Sequence, residues 1–283
     1  MKLRPATGRR LANLAVTLWA GACALTGIFI LFWILYVVLS RGLGALNPAF
    51  FTQLPTPPGV SGGGLVNAMA GTLALTGGAT LMAVPMGLMA GVYLAEFSDD
   101  SRVGDYSRFS TNVLMGMPSI IVGVFAYTLV VVPLGRFCGY AGALALAILM
   151  LPVITRTTED MLRLVPNTLR ESALALGAPR WKVTLAIVFR AAKSGLITGI
   201  LLAVARVSGE TAPLLFTALN SPYWFRSLGE PTPNLTVTIF NYAMSPYPDW
   251  QQMAWGASLL ITFGVLIITI LARFLLREKN DDR

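Results

Sequence analysis

The chain has 283 residues, 55% of them hydrophobic and 12% charged, with a formal net charge of +8 and a mean hydropathy of +0.68. A soluble domain carries about a quarter charged residues, so most of this chain is expected in lipid, and six spans of roughly 20 residues leave only short connections. Histidine is absent, which removes imidazole bases, Ser-His-Asp triads, HExxH zinc sites and His-ligated haem, and the two cysteines, Cys23 and Cys138, suggest neither a metal site nor a disulfide framework.

Uncharged windows predict spans over residues 14–39, 69–95, 109–134, 137–155 and 253–272, with a further run at 194–218 broken only by Arg206 and Glu210. Lipid cannot satisfy backbone polar groups and these runs are too long for barrel strands, so the expected fold is an all-α membrane bundle of six helices. The first run exceeds the 7–15 apolar residues of a cleaved signal and is read as a retained helix. Lys and Arg mark the cytoplasmic side of a membrane. With an inward N-terminus, 17 of them fall on inside segments and only Arg41, Arg136 and Arg226 outside, leaving Arg206 within the membrane. Both termini are therefore expected in the cytoplasm, and this bias accounts for the basic charge without nucleic-acid binding.

Residues 40–67 are rich in Gly and Pro and read as an irregular external loop. The inner connection 96–108 is acidic and polar. Pro85, Pro118 and Pro152 interrupt apolar runs, and Gly87/Gly91 and Gly195/Gly199 have the spacing of close helix packing. At Met117-Pro118-Ser119 the freed backbone and the Ser119 hydroxyl have a second reading, as part of a polar pathway. The external segment 221–250 carries seven aromatics, which serve either as an interfacial belt or as a docking surface for an external partner.

The inner segment 156–193 is the most specific feature. Pro166 suits a first helical turn, Leu169, Ala173 and Leu176 share a face, and Gly177 sits as a C-terminal cap. Pro179 then starts a second helix, so the loop is expected to be two short helices around a tight glycine turn. Glu171, Ala173, Gly177 and Ile187 fall at the spacing E-A-A-x(3)-G-x(9)-I-x-L-P, with Ser172 and Phe189-Arg190 departing from it. In this the chain resembles the permease subunits of ATP-binding-cassette importers. Ala205-Arg206-Val207-Ser208-Gly209-Glu210-Thr211-Ala212-Pro213-Leu214 narrows the likeness to the phosphate permeases of that family, and Asn234-Leu235, Ala243-Met244-Ser245-Pro246 and Trp250-Gln251-Gln252 extend it. The resemblance covers about residues 68–272.

What the resemblance implies is a non-catalytic subunit with the fold of type I importer permeases, in the bacterial inner membrane. Its core would span 68–273, after an N-terminal helix and external loop over 1–67 and before a cytoplasmic tail over 274–283. It implies a second permease subunit, a homodimeric ATPase that uses ATP and Mg, an external phosphate-binding protein, and no cofactor on this chain. Glu171, Ala173, Leu176, Gly177, Ala178, Pro179, Arg180 and Trp181 would form the coupling helix and turn that dock on the ATPase. The chain has no G-x-x-x-x-G-K-[ST] loop of its own.

An Arg near the middle of a span costs about 2.5–3.5 kcal/mol and is normally compensated. Arg206 has Glu210 four positions on, which in a continuous helix shares its face. The pair either neutralises itself and locks packing or presents a guanidinium to a dianionic oxyanion with Glu210 holding it in place. Arg156 and Glu159 form a second pair near the inner mouth, beside Thr155, read either as an interfacial anchor or as a second station on the same route. A self-contained channel or proton-coupled carrier, an intramembrane enzyme, and an importer for sulfate or phosphonate are the competing readings.

Overall fold

The computed structural model describes residues 6–98 and 101–281, and is entirely helical and irregular among them. Lys2, Arg4, Asp99, Asp100 and Arg283 lie outside the described residues, as do the side chains of Arg273, Arg277 and Lys279. In chain order the helices are α1 (Ala6–Gly42), α2 (Pro48–Thr52), α3 (Val66–Glu96), α4 (Arg102–Gly116), α5 (Ser119–Leu134), α6 (Gly139–Arg163), α7 (Asn167–Ala175), α8 (Arg180–Ser208), α9 (Ala212–Leu215), α10 (Leu235–Ala243) and α11 (Pro248–Asp281). Five of them, α1, α3, α6, α8 and α11, are long and apolar enough to cross a membrane, and α4 with α5 supplies a sixth crossing bent by 103°.

The centre of the bundle is the parallel pair α3 and α6. Gly78 faces Ala143, Gly87 faces Ile154 and Gly91 faces Thr158, so small residues on α3 meet successive turns of α6 along most of its length. Helices in lipid gain little from hydrophobicity and are held by close packing, which small residues permit. α8 runs antiparallel to α6, with Gly195 against Met161 and Gly199 against Thr157. Leu75, Ala83, Leu146, Met150, Ile154, Ala203 and Val207 are buried where the three meet.

One end of the bundle, the elbow, is closed by a second apolar cluster in which Leu162, Val165, Ala173, Val183 and Val188 bring α6, α7 and α8 together. At the far end Phe50, Leu65, Ala68, Leu235, Tyr242 and Ala257 join α2, α3, α10 and α11. α1 packs on α11 at its C-terminal end, where Gly42 lies against Leu259 and Arg41 stacks 5.7 Å over Trp255. Its remaining apolar surface is open, which suits contact with lipid or another membrane chain.

Several boundaries differ from the sequence reading. The third span is two helices, because Met117 and Pro118 leave the helical region with ψ of 135° and 132°, as expected of a residue before proline. α4 starts at Arg102 rather than at 109, within the connection read as polar loop. Inside 40–67, Asn47 accepts a hydrogen bond from the Phe50 amide at 2.8 Å and Pro48 takes the first helical turn, which together nucleate α2. Asn234 caps α10 in the same way through Val237 at 2.9 Å. The segment after Pro179 is the first turn of α8, joined to it by a π-helical turn over Thr184–Val188, so the elbow holds one short helix and the start of a long one.

The packing of α3 on α6 makes a direct prediction. A Cβ at Gly91 collides with the Thr158 side chain and the Thr155 carbonyl, whereas a Cβ at Gly77 meets nothing within 4 Å. Gly91→Val should lower stability by about 1–3 kcal/mol through overpacking, seen as a fall in Tm of the detergent-solubilised protein, while Gly77→Ala leaves Tm unchanged or slightly raised.

Candidate functional site

α8 stops at Ser208, well short of the far end. Gly199 packs on Thr157, and seven further residues at 1.5 Å each carry Arg206 about 10 Å along α6, to the level of Met150 and the middle of that helix. Arg206 therefore lies in the last turn of a helix that ends half-way along the bundle. A cation is favoured there, because the last carbonyls of a helix carry partial negative charge. The chain continues through α9 and the irregular 216–234 segment, whose Thr217 and Thr232 contact the start of α6.

This ending separates Arg206 from Glu210. The expectation of a shared helix face fails, since the helix ends at Ser208 and Glu210 folds into a turn with its amide on the Val207 carbonyl at 3.1 Å. Arg206 is exposed on this chain and Glu210 half-buried, with no ion pair between them among the described residues. The Glu210 carbonyl accepts from the Thr236 hydroxyl at 2.9 Å, which ties the turn to α10.

A second helix end lies close by. Gly123, in the second turn of α5, sits against the Pro213 backbone of α9, with a Cβ position 2.6 Å from the Pro213 Cα. Ser119 is the first residue of α5 and half-buried, one turn before Gly123. The break at Met117-Pro118 thus turns the N-terminus of α5, with its unpaired amides, toward the level at which α8 ends. Where broken helices occur at membrane depth they surround cavities and ion sites rather than facing lipid.

Toward the elbow, Arg156 and Glu159 do meet, at 3.7 Å, but this is the weakest of the contacts Glu159 makes. Its carboxylate, 2% exposed, accepts from Arg108 Nε at 2.7 Å and lies 3.1 Å from Arg163 Nη2. Arg156 is nearer Asp160, at 3.2 Å, and its side chain is 42% exposed. Thr155 is buried and lines a cleft of about 410 Å³ between α3, α4 and α6, beside Tyr93, Tyr106, Ser107 and Thr111.

The elbow itself is well defined. α7 ends with Gly177 at φ +81°, the Ala178 amide on the Ala173 carbonyl and the Gly177 amide on Leu174, the paired bonds of a Schellman cap. Ala173 is buried but Leu169 and Leu176 are 45% and 88% exposed, so these three do not form one packed face. Ala173 anchors the helix and the leucines, with Trp181, remain available. Glu171, Pro179 and Arg180 are exposed, and Ala178 half-buried. The residue that ties α7 down is Arg170, whose guanidinium bonds Glu96 at 2.7 and 3.1 Å and the Leu162 carbonyl at 2.7 Å.

Arg170, Glu96, Arg108 and Arg163 were not singled out by the sequence reading. Arg170 lies 74 positions from Glu96 and Arg108 51 from Glu159, so no local spacing marks those pairs, whereas Arg163 stands at i, i+4 from Glu159, a spacing the sequence does show. At the far end a cavity of about 610 Å³ is walled by Pro55, Asn67, Asn220, Thr238, Tyr242 and Trp250. Burial there pushes the Tyr242 hydroxyl up to about 12, so it stays neutral at physiological pH.

Residues 83–279 match the family described as binding-protein-dependent transport system inner membrane component. A protein of Yersinia pestis named phosphate transport system permease protein PstA is 48% identical over 96% of this chain and 92% of its own length. Its namesake in Haemophilus influenzae is 48% identical over 90% of each chain. Among solved structures, a bacterial alginate importer in complex with its periplasmic protein superposes with a TM-score of 0.67 at 13% identity, covering 95% of this chain and 96% of that one. An inward-facing MetNI methionine transporter gives 0.62 at 20% identity over 76% and 95%; both likenesses concern the fold. The chain belongs to the binding-protein-dependent transport permeases and, within them, to the group whose members carry the name PstA.

Proposed function

We propose that this chain is the permease subunit of an ATP-driven importer of inorganic phosphate, and that Arg206 is the side chain that meets the anion inside the membrane. The observation that carries the assignment of Arg206 is its isolation: a guanidinium half-way along the bundle, without an ion-pair partner among the described residues, at the end of a truncated helix. A planar fork of N–H donors matches phosphate oxygens. The amides at the start of α5 and the Ser119 hydroxyl add donors at a related depth, as helix N-termini do toward oxyanions.

Glu210 then acts at a distance, as a negative charge near the anion's path that keeps capture from becoming too tight. Arg156 forms a second station toward the elbow, about six residues of helix from the level of Arg206. Its exposure and its loose 3.7 Å contact with Glu159 support a cation that exchanges partners easily. Thr155 lines the neighbouring cleft and supports the wall of this route.

The strong basic bias supports a bundle in a bacterial inner membrane with the elbow and both termini on its cytoplasmic side. There the exposed face around Glu171, Leu176 and Trp181 docks on a PstB-like ATPase homodimer, which supplies ATP and Mg chemistry. A PstC-like permease forms the other half of the pathway, and a PstS-like phosphate-binding protein delivers cargo outside. This chain holds no cofactor and performs no bond chemistry.

Two variants test the reading. Arg206→Ala should reduce phosphate uptake into proteoliposomes by about 100-fold, the loss of a charge-assisted contact of roughly 3 kcal/mol, while the complex is still recovered whole; undiminished uptake would refute the assignment. Glu171→Lys should cut recovery of the ATPase with the permease, or the hydrolysis stimulated by loaded binding protein, by about tenfold. Full recovery with full stimulation would remove Glu171 from the interface.

A further inference from the structure

Three arginines converge on one buried carboxylate at the elbow, and two of them, Arg108 and Arg163, also reach the end of α3, where Glu96 holds the coupling helix through Arg170. Arg108 of α4 bonds Glu159 through Nε at 2.7 Å and, through Nη2, both the Leu94 carbonyl and the Ser98 hydroxyl at 2.9 Å. Arg163 of α6 lies 3.1 Å from the same Glu159 oxygen and donates to the same Leu94 carbonyl at 3.3 Å. Two residues beyond Leu94, Glu96 receives the fork of Arg170 from α7. Through Glu159 Oε2 the network reaches Arg156 at 3.7 Å.

We infer that Glu159 is a positioning residue that carries movement of α7 to α4 and to Arg156, an inference that rests on the ATP-driven reading above. Glu159 is too deeply buried to meet the anion itself. The links between segments are charge-assisted bonds: α7 to the end of α3 through Arg170 and Glu96, that end to α4 and α6 through Arg108 and Arg163, and α4 to α6 through Arg108 and Glu159, while Arg163 and Arg156 meet Glu159 within α6. Displacing α7 pulls Glu96 and with it the Leu94 carbonyl, and both guanidinium groups on that carbonyl also hold Glu159. Arg108 is the link to α4, which leads into the break at Met117-Pro118. Arg156, held loosely by the other carboxylate oxygen and by Asp160, changes its surroundings when Glu159 moves.

Asp105 and Asp160 lie beside Arg108 and Arg156 in this network, at 3.5 and 3.2 Å. Replacing Glu159 by Gln keeps the volume and removes the charge, leaving three guanidinium groups around a neutral amide. The test uses the full transporter in nanodiscs with Cys23 replaced by Ser, leaving the buried Cys138. Spin labels at Ser40 and Thr168 report α7, and labels at Ser40 and Ser110 report α4, all at exposed positions. ATP should shift both distances in the parent protein, and in Glu159→Gln only the α7 distance. Phosphate uptake per ATP hydrolysed should fall by about tenfold in that variant.

Equal movement of α4 in Glu159→Gln and the parent overturns the inference while leaving the anion role of Arg206 standing. A proportional loss of uptake and hydrolysis also overturns it, since that marks a structural tie alone. No ATP-driven shift of either distance in the parent would refute the importer mechanism and this inference together. Where Glu159→Gln fails to assemble, Arg108→Lys, which keeps the charge but loses the fork to Leu94 and Ser98, is read by the same measurements.

Discussion

The close approach of α3 and α6 is the constraint on which the rest of the structure depends. Inside a bilayer two helices have no water to escape, so an interface must be made by contact alone, and contact at this distance requires that side chains be nearly absent on one side. Gly87 and Gly91 provide that on α3 against Ile154 and Thr158. Because the helices are parallel and meet over most of α6, their relative height is fixed. Fixing that height brings the Leu94 carbonyl level with Glu159, and the start of α3 level with the turn before α10, where the Thr72 hydroxyl receives the Leu235 amide at 2.8 Å. A slip of one turn would break both ends together.

The rigidity of this pair permits irregular backbone elsewhere. α5 begins and α8 ends inside the bundle, and each leaves up to four backbone groups without helical partners. Such groups are tolerated at membrane depth only beside protein or a wet cavity. The α9 turn supplies part of the cover through Pro213 against Gly123, and Thr236 supplies more by bonding the Glu210 carbonyl. What remains uncovered is the side of α8 that carries Arg206. The desolvation cost of its guanidinium is moderated by the position at a helix C-terminus, whose carbonyls favour a cation.

Much of this was written locally in the chain. The spans follow from composition, and the glycine cap of α7 was readable because Gly177 follows a short amphipathic run after a proline. Arg206 was visible as a charge in an apolar window. What the apolar window hid was where α8 stops: Gly209 caps the helix and Pro213 follows it, a stop signal set inside that window, and Thr236 of α10 holds the resulting turn through the Glu210 carbonyl. That one boundary changed the relation of Arg206 to Glu210. The Glu159 network was equally hidden, since Arg108 lies 51 positions from its partner and Arg170 lies 74 from Glu96. At i, i+3 the sequence points to Arg156 as the partner of Glu159; Arg163, one turn on the other side, comes closer, and tertiary packing supplies the closest, Arg108.

The two kinds of joint in the molecule divide the labour of a transporter. α3 and α6 are held by steric fit, which loses its contacts within an ångström of separation and so resists sliding. The elbow combines a small apolar cluster with charge pairs whose attraction decays slowly with distance. A guanidinium with several donors can keep one bond while another breaks, so Arg108, Arg163 and Arg170 can follow a tilt that glycine packing would refuse. Movement entering at α7 is therefore expected to pass around the rigid pair rather than through it, along the polar rim that leads to α4. The bend between α4 and α5, made by Met117-Pro118 and lacking through-going helical bonds, is the compliant element on that route. Its far side abuts the α9 turn that follows Arg206, which puts the bend and the truncated end of α8 side by side.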